Sequence, residues 1–406
     1  MSGQANGENG DLSPLHVVDD TSNVNGANVM NYTNDTNDTN TTNGTNGTSN
    51  TESADTQPSH GPRDSKGWDG KLRIDRTAVI QNPNAVSDPE YSSDENVLAG
   101  DKISADEDLL DGEGSDTEDV NLVNFRIRSM SSLRLERFTK LNRLVIRQNQ
   151  VQEIDGLSDL ASTLRDLDLY DNLISHIDGL EELTNLTNLD LSFNKIKHIK
   201  NISSLTNLTD LFLVSNKIKN IEGLDKLVNL RQLELASNHI REIQNLDALK
   251  NLEKLWLAKN RLVDLHGLGG LPRLRLLSLQ ANRISDLSPL RDVPQLQELY
   301  VSDNLLETLE GLESNSNLKI IDVSNNKIKS FKGLGGLKKL EDVWASSNEI
   351  SDFADVEREL ADKEDLSTIY LEGNPLQTRQ PALYRNKVKL ALPQIQQIDA
   401  TSVRPA

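Results

Sequence analysis

The chain has 406 residues, no cysteine and a net charge of −20. The absence of thiols excludes disulfides and thiolate metal sites and suits a reducing compartment. No stretch approaches the roughly 18 consecutive apolar residues of a membrane span, and the opening MSGQANGENGDLS lacks the basic and apolar segments of a secretory leader; the expectation is a soluble, intracellular protein.

The charge is unevenly placed. Residues 1–120 hold 24 Asp/Glu against 6 Lys/Arg, a net −18, which leaves 39 against 37, or −2, for the remainder. Residues 1–118 are rich in Asn, Thr, Gly, Ser and Asp and poor in aliphatic runs, so they read as a disordered acidic tail. The repeated N-x-T of residues 31–48 reads as low-complexity spacer. The hydroxyls that precede carboxylates at Ser92–Glu95 and Ser115–Asp119 resemble acidophilic kinase sites but read first as a solvated linker.

From Val120 the pattern changes. Phe125, Ile127, Met130 and the run from Leu133 to Phe138 supply apolar residues for an N-terminal cap, expected to be helical. An asparagine then recurs every 22 residues: Asn172, Asn194, Asn216, Asn238, Asn260, Asn282, Asn304, Asn326 and Asn348, with Asn149 leading by 23 and Asn374 trailing by 26. Each closes the phrase L-x-x-L-x-L-x-x-N, the signature of a leucine-rich repeat. In each unit L-x-L should be a short strand with both leucines turned inward, because side chains alternate along a strand. The asparagine amide should bond backbone groups of its own and the next turn and form a ladder through the stack. The Gly or Asn that follows, such as Gly179, Asn201, Gly223 and Gly267, suits a left-handed turn. Return legs such as Leu180–Leu183 are too short for a long helix. The fold expected is α/β: a curved leucine-rich-repeat solenoid over residues 119–374, with parallel strands on its concave face and short 3-10 or helical return legs. Residues 375–406 should cap it with a helix over Pro381–Leu392, stopped by Pro393, and a strand-like Ile395–Ile398.

Nothing in the sequence assembles into a catalytic constellation, a cofactor site or a metal site, so an enzyme is not expected. The histidines are isolated or decorate repeat turns; Gly267, Gly269 and Gly270 lie in a turn rather than a phosphate loop. The informative positions are the middle residues of L-x-L, which must point away from the core: Val145, Asp168, Asp190, Phe212, Glu234, Trp256, Ser278, Tyr300, Asp322, Trp344 and Tyr370. Five are aromatic and four acidic, although the whole chain has only 3 Trp, 6 Tyr and 6 Phe. Aromatics favour strands in general, but Trp between two inward leucines points to an interaction surface. The lack of Lys or Arg argues against nucleic acid, which needs a cationic track. Small residues two positions on (Ser192, Ala236, Ala258, Ser302, Ser324, Ser346) should leave the rings accessible. The expected partner is a protein with a basic and apolar patch, and no membrane.

LRDLDLYDNLI at 164–174, LDLSFNKI at 189–196, LTDLFLVSNKI at 208–218 and above all LSTIYLEGNPLQ at 366–377 with YRNKVKLALPQIQQIDA at 384–400 resemble the leucine-rich-repeat regulatory subunits of protein phosphatase 1. The resemblance implies a non-catalytic subunit that binds the phosphatase catalytic subunit on its concave face, in nucleus and cytoplasm. Carried over by motif position, the contacts fall on Asp190, Phe212, Glu234, Trp256, Asp322, Asp342, Trp344 and Tyr370; Tyr300 joins them from the column itself. Trp256 stands where a Phe is usual and Asp342 where a Glu is usual. Many regulators of this phosphatase resemble one another in a docking peptide of a basic residue, Val or Ile, any residue, then Phe or Trp. Val123-Asn124-Phe125 comes nearest here but follows Asn121-Leu122, so a second regulator could share the phosphatase in a ternary complex. The alternatives are a scaffold for a cytoskeletal or splicing component, or an extracellular receptor, the latter opposed by the missing leader and cysteines.

Overall fold

The computed structural model describes residues 109–403. The tail reading for residues 1–108 lies outside them. Residues 109–118, tail by composition, form turns against the first coil: Leu110 is buried, and Ser115 and Glu118 carbonyls accept the amides of Thr139 and Asn142 at 2.8 and 2.9 Å.

Fourteen short strands form one sheet in sequence order. The first, β1 (Asp119–Asn121), pairs in parallel with the first of the eleven repeat strands, β2 (Arg143–Val145). The rest of the repeat strands are Asp166–Asp168, Asn188–Asp190, Asp210–Phe212, Gln232–Glu234, Lys254–Trp256, Leu276–Ser278, Glu298–Tyr300, Ile320–Asp322, Asp342–Trp344 and Thr368–Tyr370. Their register is constant, so residues one repeat apart lie side by side: Asp190 beside Phe212, Phe212 beside Glu234, Trp344 beside Tyr370. The central residue of each strand, such as Leu189, Leu211 and Leu233, is fully buried. A buried leucine stabilises by roughly 2 kcal/mol, and each coil finds this burial only against its neighbours. The N-terminal cap is less helical than its spacing suggested. It begins with β1 and continues with single 3-10 turns at Ser131–Leu133 and Leu135–Arg137.

Every ladder asparagine is placed as the repeat demands, but its reach runs backward along the stack, not forward. The Asn238 amide nitrogen donates to Leu235 O (3.1 Å) and Ala236 O (3.2 Å) of its own coil and to Leu213 O (2.9 Å) of the preceding one. Its Oδ1 accepts the Ile218 amide of the preceding coil at 3.0 Å. Asn149 has the same arrangement at the cap and Asn374 at the last repeat. A second asparagine column on the return legs is additional to the one the spacing revealed. Asn207, Asn229 and Asn251 each donate to a carbonyl of the preceding coil, Thr184, Thr206 and Val228, at 2.9 Å. The turn residues Gly179, Asn201, Gly223 and Gly267 have positive φ. At Gly267 (φ 99°) a Cβ would lie 2.0 Å from Ile243 O, so only glycine fits. A further left-handed column precedes the ladder asparagines (Asp171, Phe193, Ser215, Ser237, Lys259), which turns the chain off each strand.

The return legs are turns closed by i to i+3 bonds, as at Leu183 N to Leu180 O, 3.0 Å, with longer 3-10 pieces at Ser158–Leu160 and Ser288–Asp292. The 26-residue interval before Asn374 is filled by α1 (Phe353–Leu360), which the repeat arithmetic did not resolve. It is N-capped by Asp352, whose Oδ1 accepts Ala354 N at 2.9 Å. Buried Asp355 accepts Phe331 N at 2.7 Å and ties the helix to the preceding coil. A short helix α2 (Pro375–Thr378) and α3 (Pro381–Ala391) close the core with Tyr384, Val388 and Ala391, whereas Leu383 turns to solvent. β13 (Gln397–Ile398) extends the parallel sheet, and β14 (Thr401–Ser402) folds back on it antiparallel.

Candidate functional site

Alternation sends the outer two residues of each strand to the concave face. Asp342 therefore shares that face with Trp344, and Asp210 with Phe212. The structure brings Asp190, Phe212, Glu234, Trp256, Tyr300, Asp322, Asp342, Trp344 and Tyr370 onto one sheet surface, in unbroken register from Asn188–Asp190 to Thr368–Tyr370. The aromatic side chains are half-buried rather than open. Trp344 lies between two tyrosines, its ring centroid 6.2 Å from Tyr300 and 6.0 Å from Tyr370, the latter edge-on. The Tyr370 hydroxyl accepts Gln397 Nε2 at 2.8 Å, and the Tyr300 hydroxyl donates to Glu298 at 2.9 Å. Both tyrosines are thereby fixed before any partner arrives. The Trp344 indole N–H is shielded from water and has no acceptor among the described residues.

The carboxylates divide into two kinds. Asp168, Asp190 and Asp322 each turn one oxygen onto the backbone N–H two residues on, at Tyr170 (3.1 Å), Ser192 (2.8 Å) and Ser324 (3.0 Å). These aspartates bind the backbone at the strand end, which gives them a local structural reason to occupy the column. Asp168 and Asp322 are accordingly buried, at 5% and 9% exposure. Glu234 has only the Gln232 amide at 3.2 Å, and Asp342 makes no side-chain hydrogen bond or ion pair among the described residues. Burial pushes the Asp190 carboxyl above the usual range, opposed by its bonds to Ser192, and burial likewise raises Glu234.

Sequence position alone missed the N-terminal end of this face. Arg147, two residues after the column position, crosses to Asp168 in a close ion pair and reaches Asp190 with Nη2 at 3.7 Å. Its guanidinium lies 5.2 Å from the Tyr170 ring centre, and Tyr170 in turn meets Phe193 at 4.8 Å. The signal was the same two-residue alternation: Arg147 and Tyr170 occupy the neighbouring column, where most later repeats have small residues. Among the described residues there is no cluster of three or more His, Cys, Asp or Glu placed to hold a metal ion. No described helix is long and apolar enough to cross a membrane.

The family described as Leucine Rich repeats (2 copies) matches in overlapping pairs from 184–226 to 294–336. A protein phosphatase 1 regulatory subunit SDS22 from Schizosaccharomyces pombe is 51% identical over 85 residues, 21% of this chain and 25% of that protein. Protein phosphatase 1 regulatory subunit 7 from Homo sapiens is 59% identical over 46 residues, 11% of this chain and 12% of that protein. These alignments thus span a quarter or less of the relatives' length. An internalin (inlF) from Listeria monocytogenes superposes with a TM-score of 0.55 at 23% identity, covering 71% of this chain and 87% of that one, a likeness of fold alone.

Proposed function

We propose that this chain, whose repeats match a leucine-rich-repeat model and which is similar in part to proteins named regulatory subunits of protein phosphatase 1, holds the catalytic subunit of that phosphatase in its concave face. The observation that carries the reading is the column itself: Phe212, Trp256, Tyr300, Trp344 and Tyr370 interleaved with Asp190, Glu234 and Asp322 on one rigid sheet. The aromatic side chains supply apolar anchor area. The carboxylates select a basic patch and steer its approach. Because parallel strands and ring contacts already fix the anchors, little side-chain entropy is lost on association. The chain contributes no catalysis of its own; it controls the activity, maturation or targeting of the phosphatase, in nucleus and cytoplasm.

The absence of a basic docking peptide supports a second part of the reading. The peptide-binding groove of the phosphatase stays free, and another regulator occupies it in a ternary complex. The test of the first part is direct titration of the purified catalytic subunit into this protein, with Trp344→Ala in parallel. Saturable binding by the parent and a loss of at least about tenfold by the variant, the equivalent of a central anchor, are expected. Equal binding by both would refute the concave-face assignment.

A further inference from the structure

Arg143 and Lys254 share the acidic, aromatic face as outer strand residues, but among the described residues Arg147 is the cation that pairs with column carboxylates. It extends across the first repeats of that face from the row beside the column, pairing with Asp168 and, at 3.7 Å, with Asp190. The geometry ranks these two contacts. The Asp168 side chain is 7% exposed, and its other oxygen is bonded to Tyr170 N at 3.1 Å; it belongs to the fold. Asp190 is twice as exposed, at 14%, and it faces Arg147 through an oxygen at ion-pair rather than hydrogen-bond distance. Arg147, at 46% exposure, is the outer member of both pairs. Tyr170 lies against its guanidinium and Phe193 against Tyr170, so the arginine rests on an aromatic shelf. No other column carboxylate forms an ion pair among the described residues.

We infer that Arg147 is an internal stand-in for a partner's cation, set over Asp190 so that the negative charge at this end of the concave face is partly masked until a Lys or Arg of the partner displaces it. The inference rests on the proposed binding of the phosphatase catalytic subunit. Arg147 is then a specificity-setting residue that need touch no partner atom. It subtracts from the attraction of any basic surface and leaves Glu234, which feels Lys254 without pairing to it, and Asp342, which has no ion pair among the described residues, as the less masked charges. A partner whose only complement is positive charge gains little at the masked end. One that also brings apolar groups to the central anchors pays the displacement from their burial.

A double-mutant cycle isolates this effect, because the residues in question are in contact. Arg147→Gln keeps an N–H donor for Asp168 while removing the charge, so the coil stays folded; the unfolding midpoint of each variant checks that. With the phosphatase catalytic subunit as titrant at low salt, Arg147→Gln should bind about threefold or more tightly. Its affinity should also fall more steeply as salt rises. Asp190→Asn should weaken binding in both backgrounds, but in the Arg147→Gln background by about threefold or more beyond its effect in the parent. Equal or weaker binding by Arg147→Gln, or the same Asp190→Asn effect in both backgrounds, overturns the inference. Trp344→Ala in the same series separates the two readings. If it binds like the parent, the concave-face proposal fails and this inference falls with it; if it loses binding while the cycle shows no coupling, only the role of Arg147 is refuted.

Discussion

Replacing Asn238 by alanine should destabilise the solenoid by an amount that its hydrogen bonds allow one to work out. The side chain is 4% exposed and makes four bonds, three as donor and one as acceptor. The losses are not equivalent. Leu213 O also accepts the Asn216 amide at 3.2 Å, and Leu235 O also accepts the Asn260 amide at 2.9 Å, so each carbonyl keeps one partner. The Ile218 N–H keeps none, since its bond to Asn238 Oδ1 at 3.0 Å is the one it has. One orphaned buried donor costs about 1–3 kcal/mol, and the weakened carbonyls add a smaller increment, for a total of about 2–3 kcal/mol. The comparison variant is Asn207→Ala on the return leg, an exposed side chain with a single bond to Thr184 O at 2.9 Å. Its loss should cost about 1 kcal/mol or less, because water can replace the amide. Urea titration by circular dichroism reads both midpoints. A similar effect of the two variants would refute the assignment of the ladder as a buried, rather than merely repeated, asparagine.

Further outcomes follow from the same geometry. Phe212→Ala should leave the unfolding midpoint nearly in place while weakening phosphatase binding by about 2 kcal/mol, measured by calorimetry. Glu234→Gln should stabilise the free protein and weaken the complex. Burial raises the folded pKa of Glu234, so the folded state holds the proton more tightly and stability falls as pH climbs from the ordinary carboxylate value through the raised one. The advantage of the glutamine variant in melting midpoint should therefore shrink as pH is lowered toward ~4; an advantage independent of pH would contradict the cause given. Removing residues 1–108 should leave the melting midpoint nearly unchanged, since their composition favours no packed core, and a fall of many degrees would show otherwise. A saturating synthetic docking peptide should bind the preformed phosphatase complex without displacing this protein; direct competition would show that it occupies the peptide groove.

Much of this architecture was legible because a 22-residue period repeats its own instructions. The inward leucines, the ladder column, the left-handed turns at Gly179 and Asn201, and the helix that Pro381 opens all follow from spacing and backbone preference. What stayed hidden depends on reach rather than on period. The direction of the ladder is set by which carbonyls an amide can touch, and Asn238 reaches Leu213 behind it. The second column, Asn207 and its equivalents, lacks the leucine frame that drew attention to the first. Helix α1 fills an irregular interval and therefore has no template in the other repeats. At the candidate site, strand alternation placed the column on one face. It did not reveal that Asp322 is turned onto Ser324 N or that Arg147 crosses to Asp168.

These placements explain how one repeat unit can serve folding and recognition without conflict. Folding is assigned to the inward leucines and to the two asparagine columns, whose partners are backbone atoms common to every coil. On the proposed reading, recognition falls to the outward strand residues, where the backbone is already satisfied by the neighbouring strands and the side chain is free to vary. The column aspartates sit between these roles. Asp190 spends one oxygen on Ser192 N and offers the other to a cation, so the bond that shapes the strand end also aims the charge. Glu234 has no backbone bond and is held by Gln232 alone, which makes it the freer charge and the one more costly to bury. Phe212 and Trp256 flank Glu234 in register, so a partner that covers these anchors also desolvates the carboxylate and must bring a compensating cation. Apolar contact at the centre of the face and selection for positive charge are thus coupled by adjacency: a neutral partner would bury Glu234 unpaired, and a basic partner without apolar groups would leave the aromatic anchors unused.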